Sequence, residues 1–201
     1  MAAKAKHRQP IIDAAVTLFR QRGYAATGLN DLVEASGSPK GSMYHYFPEG
    51  KPSIAVAAVE EAGRRVVETI EAVAARTSST AELLLEHAAL LSGWMEKSGF
   101  CDGCPITTVL LELAPDDRAV TNAGRHAFEA RLRVLRASLI DEGFDAKRAE
   151  ALALVCTNAI QGSLVMARVE CSRRPIEQTA AELGRLLKAA RSNGSDGEAL
   201  I

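Results

Sequence analysis

The chain is patterned for helices along nearly its whole length. Apolar residues recur at intervals of three and four, as Ile11, Ala15, Leu18 and Phe19 do, and this spacing places them on one face of a helix. The sequence has neither strand-like alternation nor an internal repeat. It therefore predicts an all-α fold of about nine helices, over residues 7–22, 29–35, 39–47, 52–76, 81–97, a short helix from 105, 118–141, 146–171 and a last helix ending near 191.

Turn residues separate the first three predicted helices. Gly23 ends the first helix, Thr27 is expected to cap the second, and Gly37 makes the turn into the third. Two short helices joined by a tight glycine turn form a helix-turn-helix, and the first helix completes a small core. We therefore predict a DNA-binding head over 1–51, a larger helical body for ligand binding and dimerisation over 52–191, and a disordered tail over 192–201.

The third helix carries the candidate DNA-contacting chemistry. Ser38 is expected to cap it, with Pro39 at the first helical position, where the missing N–H costs nothing. Met43 and Phe47 are four residues apart and share the buried face. The remaining positions carry a lysine, hydroxyls, an imidazole and a glycine, which suit phosphates and base edges, and they are Lys40, Gly41, Ser42, Tyr44, His45 and Tyr46.

Composition and charge agree with an intracellular DNA-binding protein. The 201 residues are 47% hydrophobic and 24% charged, as in ordinary globular proteins. Residues 1–51 hold seven Lys/Arg against four Asp/Glu, whereas the remainder holds 17 against 21, so the predicted head is the basic part. The sequence has no run of about 18 apolar residues and no secretory signal pattern. We therefore expect a cytoplasmic protein with free thiols.

Residues 11–51 also carry an ordered set of motifs. They are A-x-x-L-F-x-x-x-G-Y, a following threonine, the turn LVEASG, and K-G-S-x-Y-H-Y-F followed by a lysine. The stretch IIDAAVTLFRQRGYAATGLNDLVEASGSPKGSMYHYFPEGK resembles the N-terminal domain of TetR-type transcriptional regulators. The segment GCPITTVLLEL resembles the branch of that family that includes lincomycin- and flavonoid-responsive repressors.

The resemblance implies a set of DNA contacts. The recognition helix would lie in the major groove, and two further residues would anchor phosphates at helix starts. The implied contact residues are Thr27, Ser38, Lys40, Gly41, Ser42, Tyr44, His45, Tyr46 and Lys51. The chain departs from the family pattern at Gly28, where a hydroxyl residue is common, and by an extra residue before Lys51.

The resemblance also implies a dimeric repressor that binds a palindromic operator and is released by a small hydrophobic or aromatic ligand. Two heads related by a two-fold axis read a palindrome, and the last two long helices are expected to form a four-helix bundle with a partner. The predicted interface residues are Leu152, Val155, Ala159, Ser163, Ile176, Leu183 and Leu187. The predicted ligand-pocket residues, each also a candidate for the ordinary core, are Trp94, Met95, Phe100, Ile106, Val109, Leu110, Phe128, Leu132, Asn158, Gln161 and Met166.

Three alternatives remain open at this stage. Cys101 and Cys104 form a C-x-x-C, so oxidation of these thiols is an alternative to a ligand as the regulatory signal of the repressor. An architectural protein that coats DNA is a second alternative, disfavoured by the acidic body. An enzyme is a third, disfavoured because no catalytic motif is present. We predict neither a cofactor nor a metal site, since the sequence has no second C-x-x-C and no paired histidines.

Overall fold

A computed structural model describes residues 6–195, and within that range the chain forms nine helices and no strand. The predicted all-α class is confirmed. The helices are α1 (Arg8–Arg22), α2 (Leu29–Ser36), α3 (Lys40–Tyr46), α4 (Lys51–Ala74), α5 (Thr80–Lys97), α6 (Pro105–Leu113), α7 (Arg118–Asp141), α8 (Ala146–Glu170) and α9 (Arg174–Ser195).

Several helix ends follow from local sequence chemistry. Gly23 follows α1 with a φ of 83°, a conformation that glycine adopts without strain, and its N–H donates to the Phe19 carbonyl. Asp145 caps α8, since its carboxylate accepts a hydrogen bond from the Arg148 N–H at 3.0 Å. Asp117 does the same for the Val120 N–H at 3.0 Å before α7.

Three predicted helix ends were wrong. The residue that precedes α2 is Gly28, whose N–H is bonded by the Asp31 carboxylate, and not Thr27. Ser38 makes no cap, because α3 begins only at Lys40. The last helix continues through Ser195, four residues into the predicted tail, and residues 196–201 of that tail lie outside the described residues.

The helices pack into two compact units, and the division is not the linear one expected from the sequence. One unit, here the head unit, runs up to Arg65 and includes Gly103–Phe128. The other, here the body unit, contains Val66–Asp102 and the chain from Glu129 onward. The head unit therefore contains α6 and the first part of α7 in addition to the three short helices and the start of α4.

The head unit has a small, tightly packed core. Its largest fully buried side chains come from the first four helices and are Ile11, Phe19, Leu32, Met43, Ile54 and Val59. Helix α6 adds Ile106 and Val109, which are also buried, and α6 packs against α1. A Cβ on Gly63 of α4 would lie 2.7 Å from the Ala127 Cβ of α7, so a glycine is required for this close helix contact.

The body unit has a larger apolar core. Residues from α4, α5, α7, α8 and α9 form one cluster, which includes Leu83, Leu84, Leu139, Ile160 and Ile176. By length and composition alone, α8 is also apolar enough to cross a membrane, although only a third of its apolar window is buried. The apolar character of α8 therefore comes from two faces, one directed to the core and one exposed.

Candidate nucleic-acid interface

Helix α3 separates its packing residues from its exposed residues. Met43 and Phe47 are buried against the head core, as their spacing predicts. Lys40, Tyr44 and His45 are exposed, and about half of the Tyr44 side chain is accessible. One face of α3 therefore presents a cation, a phenol and an imidazole, groups that bond phosphate oxygens and base edges.

Gly41 lies on the same exposed side of α3. A Cβ added there would meet no atom within 4 Å, so packing inside the protein does not require a glycine at this position. A glycine inside a helix costs about 1 kcal/mol relative to alanine. Close approach of an external surface, such as a DNA backbone, is a physical reason for a glycine at this exposed position.

Two of the nine predicted contact residues are buried in the core of the head unit. Thr27 is fully buried, and its hydroxyl donates to the Gly23 carbonyl at 2.8 Å. Ser38 is 4% exposed, and its hydroxyl lies 3.5 Å from the Ser36 carbonyl. In the DNA-free protein these side chains hold the turns before α2 and α3. Ser42, Tyr46 and Lys51 are partly buried, and the assignment of all nine residues to DNA contacts stays a prediction.

Lys51 begins α4 and packs against the turn that joins α1 to α2. Its ammonium lies 4.1 Å from the centroid of the Tyr24 ring and 3.4 Å from the Ala25 carbonyl. Burial lowers the pKa of Lys51, while the negative charges of Glu112 and Asp31 act in the opposite direction. Tyr24 in turn packs on Phe19 with ring centroids 5.6 Å apart.

Glu112, on α6, is a residue of this site that sequence reasoning missed. Its carboxylate accepts hydrogen bonds from the backbone N–H groups of Tyr24 and Ala25, each at 2.7 Å. Burial and the negative charges of Asp117 and Glu112 raise the pKa of the Tyr24 hydroxyl. The partners are 87 and 88 residues apart in sequence, so no local pattern indicated this contact.

An ion-pair network joins α1 to α4 in the head unit. Glu61 accepts hydrogen bonds from Arg64 and Arg65, and Arg65 also bonds the Asp13 carboxylate. The Arg64 hydrogen bond is the largest of the effects that lower the pKa of Glu61 to about 2. Helix α4 is thereby fixed to α1, which forms part of the wall that supports α3.

The predicted ligand-pocket residues do not converge in one unit. Ile106, Val109, Leu110 and Phe128 belong to the head unit, where Ile106 and Val109 are core residues. The other seven belong to the body unit, where Trp94 and Met166 are substantially exposed. Asn158 is exposed as well, Met95 is buried in the core, and Phe100 and Leu132 pack against the core. Gln161 is partly buried.

Two clefts open within the body unit. The larger, about 510 Å³, is lined by polar and small residues at the ends of α4 and α7, including Glu71, Arg133, Ser138, Asp141 and Glu142. The smaller, about 420 Å³, lies between α8 and α9 and includes Ala159, Gly162, Ser163 and Met166 in its lining. Only Met166 of the predicted pocket residues lines either of these clefts.

Most of the predicted dimer residues are buried within one protomer. Leu152, Ile176, Leu183 and Leu187 belong to the core of the body unit, and Ser163 is also buried. Ala159 packs against that core, whereas about half of Val155 is exposed. Most of the predicted set therefore lies on the core face of α8 and α9, and its assignment to a dimer interface stays a prediction. The large apolar side chains exposed on these two helices include Val155 of that set, and the others are Leu154, Val165, Met166, Val169 and Leu186.

The four cysteines are free thiols in different surroundings. Cys101 and Cys171 are exposed, Cys104 is partly buried, and Cys156 is buried. Burial raises the pKa of the Cys156 thiol to about 11, against the opposing charge of Arg131. Across residues 6–195 no group of three or more His, Cys, Asp or Glu side chains is arranged to hold a metal ion.

Comparison with known proteins adds the observation that decides the family. Residues 11–58 match the model of bacterial regulatory proteins of the tetR family, and residues 80–182 match the C-terminal domain of LmrA/YxaF-like transcriptional regulators. The chain belongs to the TetR family of transcriptional regulators. It is therefore a DNA-binding regulator and not an enzyme. The resemblance of residues 11–51 to TetR-type regulators is confirmed by the match over 11–58, and the match over 80–182 extends the family assignment to the body.

Full-length relatives agree with the TetR assignment. The YxaF regulator of Bacillus subtilis is 27% identical over 94% of this chain and 98% of its own length. An HTH-type regulator of Mycobacterium tuberculosis is 30% identical over 90% of this chain and 94% of its own. A TetR regulatory protein of Rhodobacter sphaeroides, 22% identical, has the same fold with a TM-score of 0.78 over 89% of this chain and 97% of that chain.

Proposed function

We propose that this TetR-family protein is a cytoplasmic repressor that binds a palindromic operator as a homodimer and is released by a small hydrophobic or aromatic ligand. The observation that carries the DNA-binding part is the exposed face of α3, where Lys40, Gly41, Tyr44 and His45 share one side of a helix anchored by Met43 and Phe47. A helix supported in this way fits the major groove.

The exposed faces of α8 and α9 support a homodimer. Val169 lies four residues after Val165 and three after Met166, so these side chains share a face of α8, and each is about half exposed or more. Leu186 adds an exposed apolar side chain on α9, a helix that packs against α8. Exposed apolar side chains grouped on one surface mark an interaction site, and a second copy of the same two helices would bury them in a four-helix bundle.

The buried polar groups of the body unit support ligand binding there. His87, Arg131 and Thr157 are each 6% exposed or less, in a unit whose core is apolar. Small-molecule sites typically combine an apolar lining with a few polar groups of this kind. A ligand that binds more tightly to the DNA-incompetent arrangement of the dimer would lower operator affinity.

A redox-sensing repressor is a second candidate. The exposed thiol of Cys101 and the partly buried thiol of Cys104 lie three residues apart in the segment between α5 and α6. An exposed thiol is open to oxidants, whereas the buried Cys156 thiol, with its raised pKa, is a poor nucleophile. Loss of operator binding on mild oxidation, prevented by Cys101→Ser, would favour this candidate over a ligand-released repressor.

The experiment that tests the proposal is footprinting on the DNA upstream of the protein's own and neighbouring genes, across a salt series. We expect a protected palindrome and an affinity at least about a thousandfold above that for random DNA. Weak protection everywhere, falling steeply with salt, would leave only phosphate attraction and would contradict the proposal. Hydrophobic and aromatic compounds are then screened for release of the protein from the protected DNA.

A further inference from the structure

The Glu112 carboxylate binds the α1–α2 turn through both of its oxygens. One oxygen accepts a hydrogen bond from the Tyr24 N–H and the other from the Ala25 N–H, both at 2.7 Å. Charge-assisted bonds of this length are strong, and two parallel bonds fix orientation as well as distance. We call this pair of bonds the Glu112 clasp.

The turn is shaped to receive the carboxylate. Gly23 has a φ of 83°, and a Cβ at that position would overlap the Glu112 Oε1 atom. Because Gly23 has no side chain, the Glu112 carboxylate has room to reach the turn. A second bond joins the same parts of the head unit, from the Gly103 N–H, just before α6, to the Arg20 carbonyl at 3.2 Å.

The residues held by the clasp contact or adjoin two of the predicted DNA-contact residues. The Ala25 carbonyl and the Tyr24 ring are the contacts of Lys51, and Thr27 bonds back to the Gly23 carbonyl. Lys51 and Thr27 are the two predicted phosphate anchors. We propose that Glu112 is a positioning residue for DNA binding: it fixes the α1–α2 turn, and through that turn the Lys51 ammonium, from a helix that lies far away in the sequence. This inference rests on the proposed function.

Simple electrostatics gives the opposite expectation for Glu112. A carboxylate near a DNA-binding surface repels phosphates, so its removal should tighten DNA binding. A positioning role instead requires that its removal weaken binding. In Glu112→Gln the amide oxygen can still accept one hydrogen bond, but the amide NH₂ group would face a backbone N–H and can accept none. The sign of the change therefore separates the two explanations.

The test compares the full-length wild type, Glu112→Gln and a matched control, Asp116→Asn, on the protected DNA. Asp116 is exposed and four residues from Glu112, so both variants remove one negative charge from the same segment. We expect Glu112→Gln to weaken binding about tenfold, the value for one lost charge-assisted hydrogen bond. Asp116→Asn should leave binding unchanged or slightly tighter.

The salt dependence of binding distinguishes positioning from loss of folded protein. A smaller folded fraction lowers affinity equally at every salt concentration, whereas a misplaced phosphate anchor reduces the salt slope by about one contact. We expect a smaller slope for Glu112→Gln only. Unchanged or tighter binding by Glu112→Gln, or weaker binding with an unchanged slope, would overturn the proposal.

Amide hydrogen exchange keeps the clasp and the proposed function separate. In the DNA-free protein we expect the Tyr24 and Ala25 amides to exchange at least about tenfold faster in Glu112→Gln than in the wild type. If these amides exchange at the same rate in both proteins, the Glu112 clasp does not hold the turn, and the inference fails whether or not the protein binds DNA. If they differ but the wild type protects no DNA, the proposed function fails and the clasp stands as a structural contact only.

Discussion

The head unit and the body unit use their side chains in different ways. In the head unit Lys40, Tyr44 and His45 of the proposed contact residues are polar and exposed, and ion pairs of Arg65 with Glu61 and Asp13 join α4 to α1 beside them. In the body unit long helices surround an apolar core, and the polar residues His87 and Arg131 are buried. Exposed polar residues of the head therefore support the proposed DNA contacts. In the body, apolar spacing is the same for core, pocket and interface residues.

The largest expected effect tests the apolar face of the body unit. Val165→Glu places a charge on the exposed face of α8, where 59% of Val165 is accessible, without entering the core. In a monomer each head would bind its half-site without a second head linked to it. Because linkage raises the effective concentration of the second head at its half-site, operator affinity should fall about a thousandfold when the dimer is lost. Sedimentation should show a monomer at micromolar concentration.

The matched control for this variant is Ile140→Glu, an exposed apolar residue of α7 in the same unit. It should remain dimeric and bind DNA as the wild type does. If Val165→Glu is dimeric and binds the operator with unchanged affinity, the interface does not include the exposed apolar face of α8.

The second effect tests the exposed polar face of the head unit. The double variant Lys40→Ala/Tyr44→Ala should lose about a hundredfold in operator affinity, because each removed contact is worth roughly 1–3 kcal/mol. Helix content and dimerisation should not change, since both side chains are exposed. Lys147→Ala, an exposed lysine of α8, is the control in the same binding titration. Equal binding by all three proteins would mean that α3 is not the recognition helix.

The third effect tests the buried polar groups of the body unit. Burial, followed by the charge of Arg131, lowers the pKa of His87 to about 4, so the folded protein keeps this imidazole neutral. The unfolded chain takes up the proton below about pH 6.5, and the free energy of unfolding should therefore fall between pH 6.5 and 4. At pH 4.5 the loss should be about 2.5 kcal/mol. In urea unfolding, the free energy of unfolding should fall less between pH 6.5 and pH 4.5 in His87→Gln than in the wild type.

The smallest effect tests the ion pairs of the head unit. The pKa of Glu61 is lowered to about 2, first by its hydrogen bond to Arg64, so this stabilisation is present above about pH 4.5 and is lost as the pH falls toward 2. The arginine partners are 42–54% exposed, and solvent screening limits the effect to about 1 kcal/mol. Thermal unfolding of Glu61→Gln should depend less on pH in this range, and equal pH dependence would show that the pairs contribute nothing.

The sequence predicts the helices well because their determinants are local. Periodic apolar residues, Gly23 after α1 and the Asp145 cap are sufficient for most boundaries. The predicted caps at Thr27 and Ser38 fail because both hydroxyls find tertiary or turn partners instead. Local signals therefore indicate where helices occur better than which polar group each hydroxyl binds.

The candidate site is predictable only in part. The exposed face of α3 follows from the positions of Met43 and Phe47, but Glu112 joins the site through a contact across 88 residues and has no local signal. Apolar spacing places Leu183 and Leu187 in the predicted interface, but both lie in the core, since apolar periodicity is the same in both settings. Only the three-dimensional packing shows which apolar face of α8 remains exposed.

The most direct test of the central claim is the dependence of binding on the spacing of the two operator half-sites. A dimer whose heads are fixed by the α8–α9 interface reads half-sites at one rotational setting, and one helical turn of DNA is about 10.5 base pairs. Inserting five base pairs between the half-sites should reduce affinity to the level of random DNA, and inserting ten should restore part of it. Equal affinity for all three spacings would contradict a dimeric, sequence-specific regulator.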